Sequence, residues 1–183
     1  MARASVCVFC GSRPGVHPEY AAAAETLGTA LAGADWRLVY GAGDVGLMGN
    51  VARAAQGAGG ETFGVIPTHL MTLEVGKTDL TRFIVTENMH ERKKVMYMNS
   101  DAIVVLPGGA GSLDEFFEVL TWRQLGLHDK PIWLLNTRGY WDPLSGLLDH
   151  VIREGFAGES LATLVEVAPD VPQLMRALQA KLG

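Results

Sequence analysis

The chain has 183 residues, 48% hydrophobic and 19% charged, which is enough apolar mass for one sizeable core and too little length to need two domains. A formal charge of -5 supplies no basic field for a nucleic-acid backbone, although a local basic pocket for one small anion stays open. No apolar run approaches the roughly 18 residues of a membrane span, and the opening MARASVCVFCG is too short for a signal peptide's hydrophobic region. The expectation is one domain, residues 1–183, in the cytoplasm, with neither nucleic acid nor membrane as partner.

The first predicted strand is VCVFC (6–10). Its two cysteines, Cys7 and Cys10, are three residues apart and so face opposite sides of a strand, which suits buried thiols better than a metal or a disulfide. A helical stretch AAAAETLGTALA follows, then strand WRLVY (36–40), helix NVARAAQGA, and strands TFGVIP (62–67) and RFIVT (82–86). A helix over Met89 to Ser100, strand AIVVLP (102–107), a helix over Leu113 to Leu125 and strand IWLLN (132–136) come next. Asp170 is the expected N-cap of a closing amphipathic helix that reaches Leu182. Short Val/Ile/Leu runs alternating with helices specify a parallel sheet covered on both faces, a Rossmann-like doubly wound α/β fold.

Two helices are apolar around more than one face: one carries Met96, Tyr97 and Met98, the other Phe116, Phe117, Val119, Leu120, Trp122 and Leu125. A surface helix of a monomer keeps a broad polar side, so these are expected to pack against a second copy in a homodimer.

Four unusual stretches each begin at the carboxyl end of a predicted strand: GSRPG (11–15), GAGDVGLMG (41–49), NMHERK (88–93) and PGGAGSLDE (107–115). In an open α/β sheet that edge holds the ligand. Gly108, Gly109 and Gly111 let backbone N–H groups approach a ligand at the start of a helix, and a phosphate is the natural guest. Ser112 and Glu115 also have capping-box spacing, so Ser112 serves helix start or ligand equally well. Asn88 is the expected N-cap of the helix carrying Arg92 and Lys93, cations at the helix end that repels them, which argues for a bound anion; Lys94 is read as surface charge. Ser12 and Gly43 lie in the first two loops, and Met48 and Met89 are flexible apolar side chains suited to a flat base.

The G-x-G-x-x-G match at Gly41, Gly43 and Gly46 follows the second strand, and the acid about twenty residues on, Glu61, falls at the opposite sheet edge, so a dinucleotide is a minor alternative. The five histidines have no metal-binding spacing and no nucleophile elbow is present; no cofactor or metal is expected.

CVFCGSRPG, LVYGAGDVGLMG, MHERK, PGGAGSLDE and TWRQLGLHDKP, in this order, resemble the LONELY GUY family of cytokinin riboside 5'-monophosphate phosphoribohydrolases, over residues 5 to 156. Ser112 stands where the family usually has Thr, and keeps the hydroxyl; Ala42 stands in a triplet that is often all glycine, a methyl that matters at positive φ. The resemblance implies hydrolysis of the N-glycosidic bond of purine nucleoside 5'-monophosphates, releasing a free base and ribose 5-phosphate. It implies Arg92 and Glu115 as the catalytic pair, with Glu74, Lys93, Gly109, Ala110, Gly111, Ser112, Leu113, Asp114 and Thr121 as substrate contacts. Members are often labelled lysine decarboxylases, but a pyridoxal phosphate enzyme needs a Schiff-base lysine, and Lys93 and Lys94 beside an arginine are poor candidates. A helix start beneath Glu115 would favour its ionised form, suiting it to a base or a stabiliser of a cationic sugar. Arg92 would orient phosphate or ribose. A non-catalytic nucleotide-binding module of the same fold is the alternative reading.

Overall fold

The computed structural model describes residues 2–74 and 76–183. Seven strands, β1 (Ala4–Phe9), β2 (Trp36–Tyr40), β3 (Thr62–Pro67), β4 (Arg82–Thr86), β5 (Ala102–Val105), β6 (Ile132–Leu135) and β7 (Glu166–Ala168), form one sheet in the order β4-β3-β2-β1-β5-β6-β7. Every neighbouring pair is parallel. The chain winds outward from β1 through β4, returns to β5 on the other side of β1, and winds outward again. The order therefore reverses between β1 and β5, where Val6 pairs with both Leu38 and Ala102. A crevice opens at such a point at the carboxyl ends of the strands.

Alternation along the strands sorts the core into two layers. Val6, Val8, Leu38, Tyr40, Val104 and Leu135 lie on one face, covered by helices α1 (Pro18–Gly33), α2 (Gly46–Gly57) and α6 (Val171–Leu182). Cys7, Phe9, Val39, Val65, Ile103, Val105 and Leu134 lie on the other, covered by α3 (Met89–Met98), α4 (Ala110–Gln124) and α5 (Asp142–Arg153). Cys7 and Cys10 are buried in opposite layers as free thiols, both pushed above the ordinary thiol pKa by burial. No helix among the described residues is long and apolar enough to cross a membrane.

Helix ends follow local chemistry. Asn88 and Asp170 cap α3 and α6 by accepting from the N–H of Glu91 and of Gln173. Helix α4 ends in a Schellman turn: Gly126 takes φ +71°, and Leu127 N–H donates to the Trp122 carbonyl at 2.9 Å. The start of α4 corrects the sequence reading. Helical geometry sets in at Ala110, Gly109 is the N-cap, and no side chain caps it, so Ser112 and Glu115 form no capping box. Ser112 is instead buried in the third helical position, its hydroxyl against Gly108. Strand β7 and helix α5 carry no sequence expectation; three residues are too few to show periodicity, and α5 opens on an Asp-Pro pair that reads as a turn.

Helices α1 and α2 touch at Gly28, where an added Cβ would meet the Val51 carbonyl and stand 3.0 Å from both Ala54 Cβ and Ala55 N. Helix propensity alone favours alanine there by about 1 kcal/mol, and overpacking against backbone costs about 1–3 kcal/mol. Gly28→Ala is expected to destabilise the protein by roughly 1–2 kcal/mol in urea unfolding. A gain in stability would show that the two helices do not approach this closely.

Candidate active site

A cleft of about 740 Å³ opens at the reversal point, lined by the loops after β1, β2 and β5 and the first turns of α3 and α4. Two backbone bonds hold its floor together. Gly11 N–H donates to the Pro107 carbonyl at 3.0 Å, tying the loop after β1 to the loop after β5, and Leu47 N–H donates to the Gly11 carbonyl at 3.0 Å, tying in α2.

The glycines after β2 serve packing between loops. The Cβ position of Gly41 is occupied by the Arg92 guanidinium, that of Gly43 abuts Met48 and Glu74, and that of Gly46, at φ +56°, overlaps the Ser12–Arg13 backbone. The G-x-G-x-x-G spacing is thus explained without a dinucleotide. Ala42 takes φ +57°, a left-handed conformation that costs an alanine about 1–2 kcal/mol. Its carbonyl accepts from Lys77 N–H at 2.8 Å, and Asp44 N–H donates to the Glu74 carbonyl at 3.0 Å, so the segment carrying Glu74 is fastened to this turn.

Arg92 is 3% exposed. Its Nε donates to the Val65 carbonyl at 3.1 Å; one terminal nitrogen donates to the Gly41 carbonyl at 2.7 Å and to Glu74 Oε2 at 3.0 Å. Among the described residues the other terminal nitrogen meets only the Met89 sulfur, at 3.8 Å, a weak acceptor that leaves this edge free for a ligand. Three strong acceptors thus fix the plane of the guanidinium while one edge remains a donor.

Glu115 is buried at 8% exposure, on the face of α4 that looks into the same cleft. Its pKa is raised to about 7, first by burial, with Glu74 and Asp114 adding to the rise and Arg92 and Lys93 opposing it. No hydrogen-bond donor holds the ionised form among the described residues. The expectation of a lowered pKa is corrected. Glu115 is six residues into α4 and beyond the first turn, where the helix dipole acts, so desolvation decides. Near neutral pH the group divides between carboxylic acid and carboxylate.

The first turn of α4 presents the N–H groups of Ala110, Gly111 and Ser112 with no intrahelical partner, as any helix start does. The cleft brings together Ser12, Glu74, Met89, Arg92, Gly108, Gly109, Ala110, Gly111, Ser112 and Glu115, with Met48 beside them. Gly43, Lys93, Leu113, Asp114 and Thr121 are not on its wall. Gly43 faces Gly76 in an isolated antiparallel bridge. Lys93 is locked by Asp114 at 2.9 Å and Glu118 at 2.7 Å, which is why it tolerates burial at the start of α3 without a ligand. Thr121 is exposed on the outer side of α4. Arg13, from the GSRPG stretch, is on the cleft wall, and sequence reasoning missed Tyr20, His69, Leu70 and Tyr140 there. Tyr140 comes from the segment between β6 and α5, far along the chain from every glycine-rich motif; no local pattern marks it.

A family model described as possible lysine decarboxylase matches residues 48–178. A protein of Oryza sativa subsp. japonica named probable cytokinin riboside 5'-monophosphate phosphoribohydrolase is 47% identical over 174 residues, covering 95% of this chain and 77% of its own. A cytokinin riboside 5'-monophosphate phosphoribohydrolase of Rhodococcoides fascians is 44% identical over 177 residues, 96% of this chain and 89% of its own. An Arabidopsis thaliana protein of the same name is 41% identical over 174 residues, with 95% and 82% covered. Among solved structures, a molybdenum cofactor binding protein from Rippkaea orientalis superposes with a TM-score of 0.76 at 21% identity, covering 100% of this chain and 99% of that one. The Moco carrier protein of Chlamydomonas reinhardtii gives 0.72 at 23%, covering 98% and 96%. These two share the fold alone.

The Glu115 carboxyl links the site to stability. A carboxyl whose pKa is raised by folding contributes fully below its ordinary value of 4.5 and loses that contribution as pH climbs through about 7. The loss amounts to about 3 kcal/mol. Glu115→Gln cannot ionise, so its unfolding free energy is expected to gain on wild type by about this amount between about pH 5 and about pH 8. An equal gap at both pH values would mean that the carboxyl is not desolvated.

Proposed function

We propose that this chain, which belongs to the LONELY GUY family, hydrolyses the N-glycosidic bond of purine nucleoside 5'-monophosphates, those of cytokinin ribosides or of adenosine among them, to free base and ribose 5-phosphate. The observation that carries the reading is one cleft holding a glycine-rich helix start, an arginine with one free edge and a buried carboxyl poised near neutrality. The names of its relatives support the same chemistry.

The first turn of α4 with Ser112 receives the 5'-phosphate, where N–H groups and the helix dipole both favour an anion. The free edge of Arg92 orients phosphate or ribose, its plane held by Val65, Gly41 and Glu74. Met48, Leu70 and Met89 supply an apolar wall for the base. Breaking the bond from C1' to the purine nitrogen leaves a pair of electrons on the base, which needs a proton, and an oxocarbenium-like sugar, which needs a nearby negative charge. Glu115 answers both in turn. Its acid form gives the proton to the leaving base; the carboxylate so formed stabilises the sugar cation and takes a proton from the water that attacks C1'. The sum is base, ribose 5-phosphate and a restored carboxylic acid.

The lysine decarboxylase description fits the residues poorly. Pyridoxal phosphate chemistry needs a lysine amine free to form a Schiff base. No lysine lines the cleft among the described residues, and the nearby Lys93 is held by two carboxylates.

We place the working form as a homodimer. Met98, Phe117, Leu125 and Leu127 are exposed on α3, α4 and the turn that follows, beside Tyr97 and Trp122. Thr121 shares a helical face with Phe117 and Leu125 at four-residue spacing, so a symmetric partner covering this face gives it a neighbour that one chain lacks.

The test is release of ribose 5-phosphate and base from AMP and from isopentenyladenosine monophosphate, with the unphosphorylated ribosides as controls. Turnover of the monophosphates alone is expected, with kcat reduced about 10²- to 10⁴-fold in Glu115→Gln. The wild-type rate is expected to fall as pH rises through about 7, where Glu115 loses its proton, and this limb should vanish in the variant. Binding of nucleotides without turnover would leave a nucleotide-binding module as the better account.

A further inference from the structure

The helix start assigned to the phosphate begins with two consecutive glycines, Gly108 and Gly109, and their freedom is a liability as well as a convenience. The peptide between them can turn over by rotating ψ of Gly108 and φ of Gly109 together. Gly109 has φ -94° and ψ -152°, and half a turn brings φ to a positive value that glycine alone accepts cheaply. The turned peptide would point a carbonyl where an N–H had been. A phosphate would then meet an acceptor in place of a donor.

One side chain opposes that rotation. Tyr140 Oη donates to the Gly108 carbonyl at 2.6 Å. In a trans peptide C=O and N–H point in opposite directions, so holding this carbonyl fixes the Gly109 N–H on the side away from Tyr140. Tyr140 is itself braced. Its ring packs edge-on against Tyr20, with centroids 5.6 Å apart, and against Trp141 at 4.8 Å. Trp141 in turn donates its indole N–H to the Val105 carbonyl, at the end of the strand from which the loop departs. The turn before Tyr140, with Arg138 at φ +59° and Gly139 at φ +72°, brings it to this position.

We propose that Tyr140 is a positioning residue of the phosphate site: it holds the Gly108–Gly109 peptide in the orientation that receives an anion. The inference rests on the reading of α4 as the phosphate-binding helix, and not on hydrolysis.

Tyr140→Phe keeps the ring and both edge contacts and removes only the hydroxyl. The full-length variant is expected to bind ribose 5-phosphate and AMP about fivefold or more weakly in calorimetric titration, with an equal rise in KM and kcat within about twofold. Adenosine, lacking the phosphate, should bind as it does to wild type. Gly109→Ala supplies the second arm, because a Cβ there meets nothing within 4 Å and disfavours the turned peptide. The loss caused by Tyr140→Phe should shrink in the Gly109→Ala background. An unchanged affinity for ribose 5-phosphate, or the same loss in both backgrounds, would overturn the proposal; so would a wild-type chain that binds neither phosphate compound. Wild type that binds ribose 5-phosphate and AMP without hydrolysing them would end the phosphoribohydrolase reading and leave this one standing.

Discussion

The site depends on one buried cation. Arg92 enters from the first turn of α3 and is held by the carbonyls of Gly41, just after β2, and of Val65, within β3, and by Glu74 from the following segment. A guanidinium in this position is expensive unless its hydrogen bonds are met, and three of its directions are met by groups that belong to three different parts of the chain. Gly41 must lack a side chain for it to fit, and the bonds from Asp44 and Lys77 hold the Glu74 segment in reach. What remains is a single free edge, aimed by the fold into the cleft that also contains Glu115.

Glu115 shows the opposite economy. It gains little from the dipole of its own helix and is kept from water, and Arg92 offsets only part of that cost. Storing an uncomfortable carboxyl in a cleft is a usual arrangement for proton transfer near neutral pH, and it trades stability for reactivity. The salt-bridged Lys93, one residue from Arg92, makes the contrast: its charge is satisfied twice by neighbours on α4, so it ties α3 to α4.

Much of the fold was legible because parallel strands announce themselves as short runs rich in Val, Ile and Leu; β2 and β3, which are buried, and β4, an exposed edge strand, all fall on the residues expected of them. The caps at Asn88 and Asp170 were legible for a local reason, a side chain that reaches its own helix start. The start of α4 was misread because Ser and Glu at capping spacing carry the same letters whether or not the helix has already begun. Glu115's pKa was misread from that same error and from burial, which depends on the covering cleft and leaves no mark in nearby sequence. Tyr140 was invisible because its role is a contact between residues 32 apart. The G-x-G-x-x-G spacing had a packing basis that the letters do not show: its glycines make room for Arg92, Met48 and the Ser12 backbone.

The account's central claim is that a buried Glu115 carboxyl titrates near neutrality beside a fixed Arg92. The most direct measurement is the carboxyl carbon resonance of Glu115 followed against pH in selectively labelled protein and assigned through its absence in Glu115→Gln. The account predicts a midpoint at about 7. A midpoint at or below the ordinary value of 4.5 would contradict it, and would return Glu115 to the role of a permanently ionised group.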